Sequence, residues 1–123
     1  MTRAANRKRK NYLKQVDLVA SDILSPYNDA NKLKAKIKKL IKGMDSDNDN
    51  TRAESEEEFD ELIKDFANME YYNYLNGDFE YKTDLYKACI DADPLGDFDE
   101  WTRVVHGFER IVESALYKIN ELN

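Results

Sequence analysis

From Phe98 to Leu122 the sequence carries two interleaved apolar series, Phe98, Val105, Val112 and Ile119 with Trp101, Phe108, Ala115 and Leu122, in an unbroken three-then-four alternation. That spacing follows the turn of an α-helix, and no strand reproduces it, because a strand repeats every second residue. Val104, Ile111 and Leu116 widen the stripe beyond two positions per heptad, as expected of a helix that buries one side in a bundle. The narrower reading is a coiled-coil seam that joins two copies into a homodimer instead of leaving a monomer. Asp97, with Glu100 three residues on, has the form of a capping box that opens this helix.

The helical period recurs along the rest of the chain, broken at Ser25-Pro26, at the acidic stretch from Asp45, at Asn76-Gly77 and at Pro94-Leu95-Gly96. It predicts helices over about 3–24, 28–43, 52–75 and 78–92 ahead of the last one. The first places Tyr12, Leu13, Val16, Val19, Ala20, Ile23 and Leu24 on one face, and Pro26 prevents its continuation. The second has Leu33, Ile37, Leu40, Ile41 and Met44 on its stripe, the third Phe59, Leu62, Ile63, Phe66, Met69 and Tyr72, and the fourth Phe79, Leu85, Tyr86, Cys89 and Ile90. With 123 residues the chain is long enough for one core and too short for two. The expectation is an all-α fold, a single-domain bundle of about five helices with a long C-terminal amphipathic helix at its centre.

The formal charge of −6 hides a strong division. Residues 1–44 hold twelve Lys or Arg against three Asp, and residues 45–123 hold seven Lys or Arg against twenty-two Asp or Glu. The chain thus reads as a basic helical hairpin over 1–44, an acidic loop over 45–53 and an acidic helical part over 54–123. Such asymmetry implies long-range attraction, either between the two parts or between each part and a partner of opposite sign.

The stretch DSDNDNTRAESE, residues 45–56, places Asp45, Asp47, Asp49, Thr51 and Glu56 at five of the ligand positions of a calcium loop, and Met44, Ile41, Leu40 and Ile37 give the entering helix an apolar face. To that extent it resembles a single EF-hand, and the resemblance implies Ca2+ as a ligand. It departs from that pattern where Asn50 replaces the turn glycine, where Arg52 stands at the usual aliphatic position, and where Phe59 falls two positions late in the exiting helix. The reading preferred here is an acidic loop leading into a helix N-terminus, which favours Glu54, Glu56, Glu57 and Glu58 without any metal, and no cofactor is expected.

Catalysis is not expected either. His106 is the one histidine, expected on the polar side of the last helix, and Cys89 is the one cysteine, expected as a buried thiol. One of each cannot build the usual zinc sites, and four scattered glycines form no phosphate-cradling loop. A single cysteine forms no internal disulfide, no apolar run of about 18 residues is present, and MTRAANRKRK lacks the apolar stretch of a secretory signal; the expectation is a cytoplasmic protein without membrane association.

Two surfaces of opposite sign stand as candidates for binding. The acidic one comprises Glu57, Glu58, Asp60, Glu61 and Asp65, with Tyr71 and Tyr74 from the tyrosine-rich stretch that follows. Spaced carboxylates imitate a phosphate backbone, and tyrosine adds amphipathic contact area, so the leading expectation is a non-enzymatic inhibitor that blocks a basic nucleic-acid-handling protein. In general type, short, acidic and without catalytic residues, the chain resembles the small inhibitors made by phages and mobile elements, anti-CRISPR proteins among them, although it carries no motif of a particular family. The second surface is basic: Arg7, Lys8, Arg9, Lys10, Lys36 and Lys39 would neutralise phosphates of nucleic acid, without sequence readout.

Overall fold

A computed structural model describes residues 2–24, 30–76, 84–93 and 99–121, with side chains throughout except at 30, 69–76, 100 and 101. It contains five helices, α1 Arg3–Leu24, α2 Ala30–Met44, α3 Asp49–Asn76, α4 Asp84–Ala92 and α5 Glu100–Glu121, and no strand among the described residues. The architecture is the expected all-α bundle. None of these helices is long and apolar enough to cross a membrane. The breaks expected at Ser25-Pro26, Gly77 and Pro94-Leu95-Gly96 lie outside the described residues, as do Asp97, the side chain of Trp101, and Phe79, Phe98 and Leu122.

The core is one cluster of buried side chains drawn from all five helices, and α5 packs against each of the other four. Val104, Phe108, Ile111, Val112, Ala115, Leu116 and Ile119 are all nearly sealed from solvent within the single chain. Burying each larger one of these contributes about 1.5–3 kcal/mol relative to exposure. Because Val112, Ala115 and Ile119 are consumed by the chain's own core, a homodimer seam built on them would require the bundle to open.

Local chemistry sets the helix starts. Thr2 caps α1 by accepting from the Ala5 N–H at 3.1 Å, and Asn48 caps α3 by accepting from the Thr51 N–H at 3.0 Å. At α5 the cap is Asp99, two residues beyond the Asp97 start read from the sequence; its carboxylate accepts from the Thr102 N–H at 2.8 Å and from the Thr102 hydroxyl at 3.1 Å. α3 begins at Asp49, inside the stretch expected to be loop.

Polar ties correct two details of the expected packing. Gln15 is buried and Leu13 is 48% exposed, the reverse of their hydropathy, because α1 turns its Gln15 edge inward. There the Gln15 amide donates to Asn11 at 3.1 Å, and Asn11 donates to the Asp84 carbonyl at 2.8 Å, which ties α1 to the start of α4. Tyr12 shares a 2.5 Å hydrogen bond with the Ser114 hydroxyl, and Lys118 pairs with Asp17, so α1 is also tied to α5.

Candidate functional site

α4 is the short element on which a site is built. Its start is held to α1 by Asn11, and its end is held to α5 through Asp93, whose fully enclosed carboxylate accepts from the Arg103 Nε at 3.3 Å and lies 3.9 Å from His106 Nδ1. His106 is therefore half-buried beside an acid, not on the open polar side expected of it. The reason is the close approach of α4 to α5 at Gly107, where an added Cβ would stand 1.7 Å from the Cys89 carbonyl oxygen.

Between α1 and α4, with Arg103 of α5 at one end, lies a groove of about 750 Å³. Arg7, Lys8, Lys10 and Lys14 of α1 form one wall, and Lys87 of α4 joins Arg103 on the other side. Arg7, Asn11 and Lys14 recur at four and three residues, so one strip of α1 carries them all. Two carboxylates, Asp84 and Asp91, also line the groove; Lys8 reaches Asp91 at 3.6 Å and Arg103 is engaged by Asp93. Arg7, Lys10, Lys14 and Lys87 have no acidic partner within ion-pair distance among the described residues. Half-buried Tyr86 and Ile90, with Ala4, give the groove an apolar floor.

Of the six basic residues singled out in the sequence, the groove gathers Arg7, Lys8 and Lys10 and excludes the others. Arg9 falls on a different side of α1, and Lys36 is exposed on α2. Lys39 lines a second groove of about 720 Å³ between α2 and α3, where it and Lys42 share the space with Asp45, Asp47, Glu54 and Glu58. Lys87 and Arg103 were not found by sequence reasoning, because each is an isolated cation and only the docking of α4 and α5 brings it to α1.

The acidic candidates lie on α3. Glu57, Glu58, Asp60, Glu61 and Asp65 are all exposed, and among the described residues the one ion pair they form is Asp60 with Lys64 at 3.0 Å. That pairing, first by hydrogen bond and then by charge, raises the Lys64 ammonium above its ordinary pKa. Glu54, Glu58, Glu61 and Asp65 form a row on the side of α3 away from Phe59, Ile63 and Phe66, about 16 Å long at the helical rise. The side chains of Tyr71 and Tyr74 lie outside the described residues.

The calcium-loop candidates are divided by the start of α3. Asp45 and Asp47 precede it, while Asp49, Thr51 and Glu56 sit on helical backbone, where side chains fan outward instead of converging as they do around a loop. Asp49 pairs with Arg52 at 2.5 Å, and Arg52 also donates to the Ser46 carbonyl at 3.4 Å, so the expected aliphatic position of the loop is a strut. Among the described residues no group of three or more His, Cys, Asp or Glu side chains is placed to hold a metal ion.

Compared with known proteins, the chain matches no family, no curated sequence and no solved structure. Its function is therefore argued from its own residues.

Proposed function

We propose that the protein binds nucleic acid through its phosphates, in the groove between α1 and α4, and acts as a binding module without catalysis of its own. The observation that carries this reading is the convergence of Arg7, Lys10, Lys14 and Lys87 on one concavity, none of them within ion-pair distance of a carboxylate among the described residues although Asp84 and Asp91 also line it. Unpaired cations at a concave surface concentrate the field and lose counterions to a phosphate strand.

The reading that ranked first in the sequence, an inhibitor whose acidic face blocks a basic nucleic-acid-handling protein, stands second. Its support is the exposure of Glu57, Glu61 and Asp65 without ion-pair partners among the described residues. It falls behind because Glu54 and Glu58 share their groove with Lys39 and Lys42, so positive charge flanks half of the acidic row and weakens its field.

Fluorescence anisotropy with labelled single-stranded and duplex oligonucleotides, repeated across salt concentrations, tests the first reading. Binding is expected to fall steeply with salt, by about 0.7–0.9 logarithmic units in affinity per logarithmic unit of salt for each phosphate neutralised. Replacing Arg7, Lys10 and Lys14 together by Glu is expected to abolish it. Affinity retained by that triple variant would remove the groove from the function.

A further inference from the structure

Resting on the reading of this groove as a phosphate site, we propose that it takes a single strand in preference to a duplex, with Tyr86 as the surface on which a base stacks. The groove of about 750 Å³ is the size of a small-ligand pocket and is hemmed by α1 on one side and by α4 with Arg103 on the other. A duplex presents its phosphates on a wide convex surface with its bases paired inside. It meets such a groove with its backbone alone, whereas an unpaired nucleotide can also bring a base against the apolar lining.

That floor is apolar, made by the exposed parts of Tyr86 and Ile90, which otherwise pack against the core with the Tyr86 hydroxyl turned inward, while cations stand on the walls. Cationic walls over an aromatic floor suit a ligand that offers charge on one edge and a bare π-face on the other, as an unpaired nucleotide does. The α1 wall from Arg7 to Lys14 rises about 10 Å along the helix, enough to follow more than one phosphate. Lys87, next to Tyr86 in α4, is placed to hold the phosphate that flanks the stacked base. Asn11 on Asp84 and Arg103 on Asp93 fix α4 at both ends, so this floor is held at a set distance from the α1 wall before any ligand arrives.

The test measures, with the unaltered full chain at low salt, the affinities of a labelled oligothymidylate of about ten nucleotides, a duplex of equal length and inorganic polyphosphate as competitor. The expected result is about tenfold or greater preference for the single strand, weak competition by polyphosphate, and a loss of about fivefold or more in Tyr86→Leu and in Lys87→Glu. Should Tyr86→Leu fail to fold, photocrosslinking of a bromouracil-containing strand to the unaltered protein is expected to modify the Tyr86 peptide, and an adduct confined to other peptides overturns the proposal. Equal binding of single strand and duplex, or full displacement by polyphosphate, also overturns it while leaving the phosphate reading in place. Failure of every probe to bind overturns both.

Discussion

Gly107 and Gly43 are both helical glycines in close contact, yet their substitution by Ala should have different outcomes. A Cβ at Gly107 would meet backbone, the Cys89 carbonyl oxygen at 1.7 Å and the Cys89 Cα at 2.7 Å, and neither can rotate away. At Gly43 the obstacle is the Ser55 side chain, whose Oγ at 2.0 Å can turn aside, although its Cβ at 2.9 Å must shift. Alanine gains about 1 kcal/mol of helix propensity at either site. Gly107→Ala is therefore expected to lose about 1–3 kcal/mol through overpacking of α4 on α5, and Gly43→Ala to be near neutral, as chemical denaturation would show. Cys89 lies in the same contact, and burial pushes its thiol up from 9.0 to about 12. The folded state thus holds the proton more tightly than the unfolded one. The corresponding stability is fully present below about pH 9 and is lost as pH rises toward 12, by at most about 1.4 kcal/mol per pH unit. Unfolding curves of the native chain and of Cys89→Ala should accordingly converge over that window, and a constant gap would show that the thiol ionises equally in both states.

At the level of the helices, the caps are where stability can be changed without touching the core. Asn48 and Asp99 each satisfy an N–H of the first turn, and Asp99 also accepts from the Thr102 hydroxyl. Asn48→Ala and Asp99→Ala are each expected to lower stability by about 1 kcal/mol, read from the midpoint of urea unfolding. Either variant remaining at the native midpoint would mean that water serves the freed N–H equally well. The caps also show where the sequence was and was not legible. α1 was read over its full extent and α2 to within two residues, because an apolar stripe marks α2 from Leu33 to Met44 and α1 from Tyr12 to Leu24, and residues 3–11 hold no Gly or Pro to break the helix ahead of it. α3 was read as starting at about 52 because its first apolar core residue is Phe59, and the turns from Asp49 onward carry no periodic signal. Those turns are stabilised by the Asn48 cap and the Arg52 strut, both local polar effects, and the same turns gave the false outline of a calcium loop. Leu13 was placed on the buried face and Gln15 passed over because hydropathy ranks side chains singly, whereas the Gln15 to Asn11 to Asp84 chain of hydrogen bonds makes burial of a glutamine favourable.

At the scale of the whole molecule the two charge blocks meet along the α2–α3 groove but form few ion pairs with each other among the described residues. Between residues 1–44 and 45–123 the described ion pairs are Lys8 with Asp91 and Lys118 with Asp17, leaving the α2 lysines and most α3 carboxylates facing solvent. Charge was legible in the sequence as a run, Arg7 to Lys10, but which members act together was not. That depends on the faces α4 and α5 turn toward α1, which exclude Arg9 and recruit Lys87 and Arg103. The persistence of both blocks gives a prediction that separates them. If the groove binds a phosphate strand, the α3 carboxylates act on it only as a distant like charge, and they repel it more at low salt than at high. Replacing Glu57, Glu61 and Asp65 by Lys should then leave the folded state intact, since all three are exposed and unpaired among the described residues, and should speed association with oligonucleotides at low salt while leaving dissociation unchanged. Stopped-flow measurement at two salt concentrations reads both rates. A faster dissociation in this variant would mean that α3 touches the ligand directly, and an unaltered association rate would mean that the lysines of α2 already cancel the acidic field where the strand approaches.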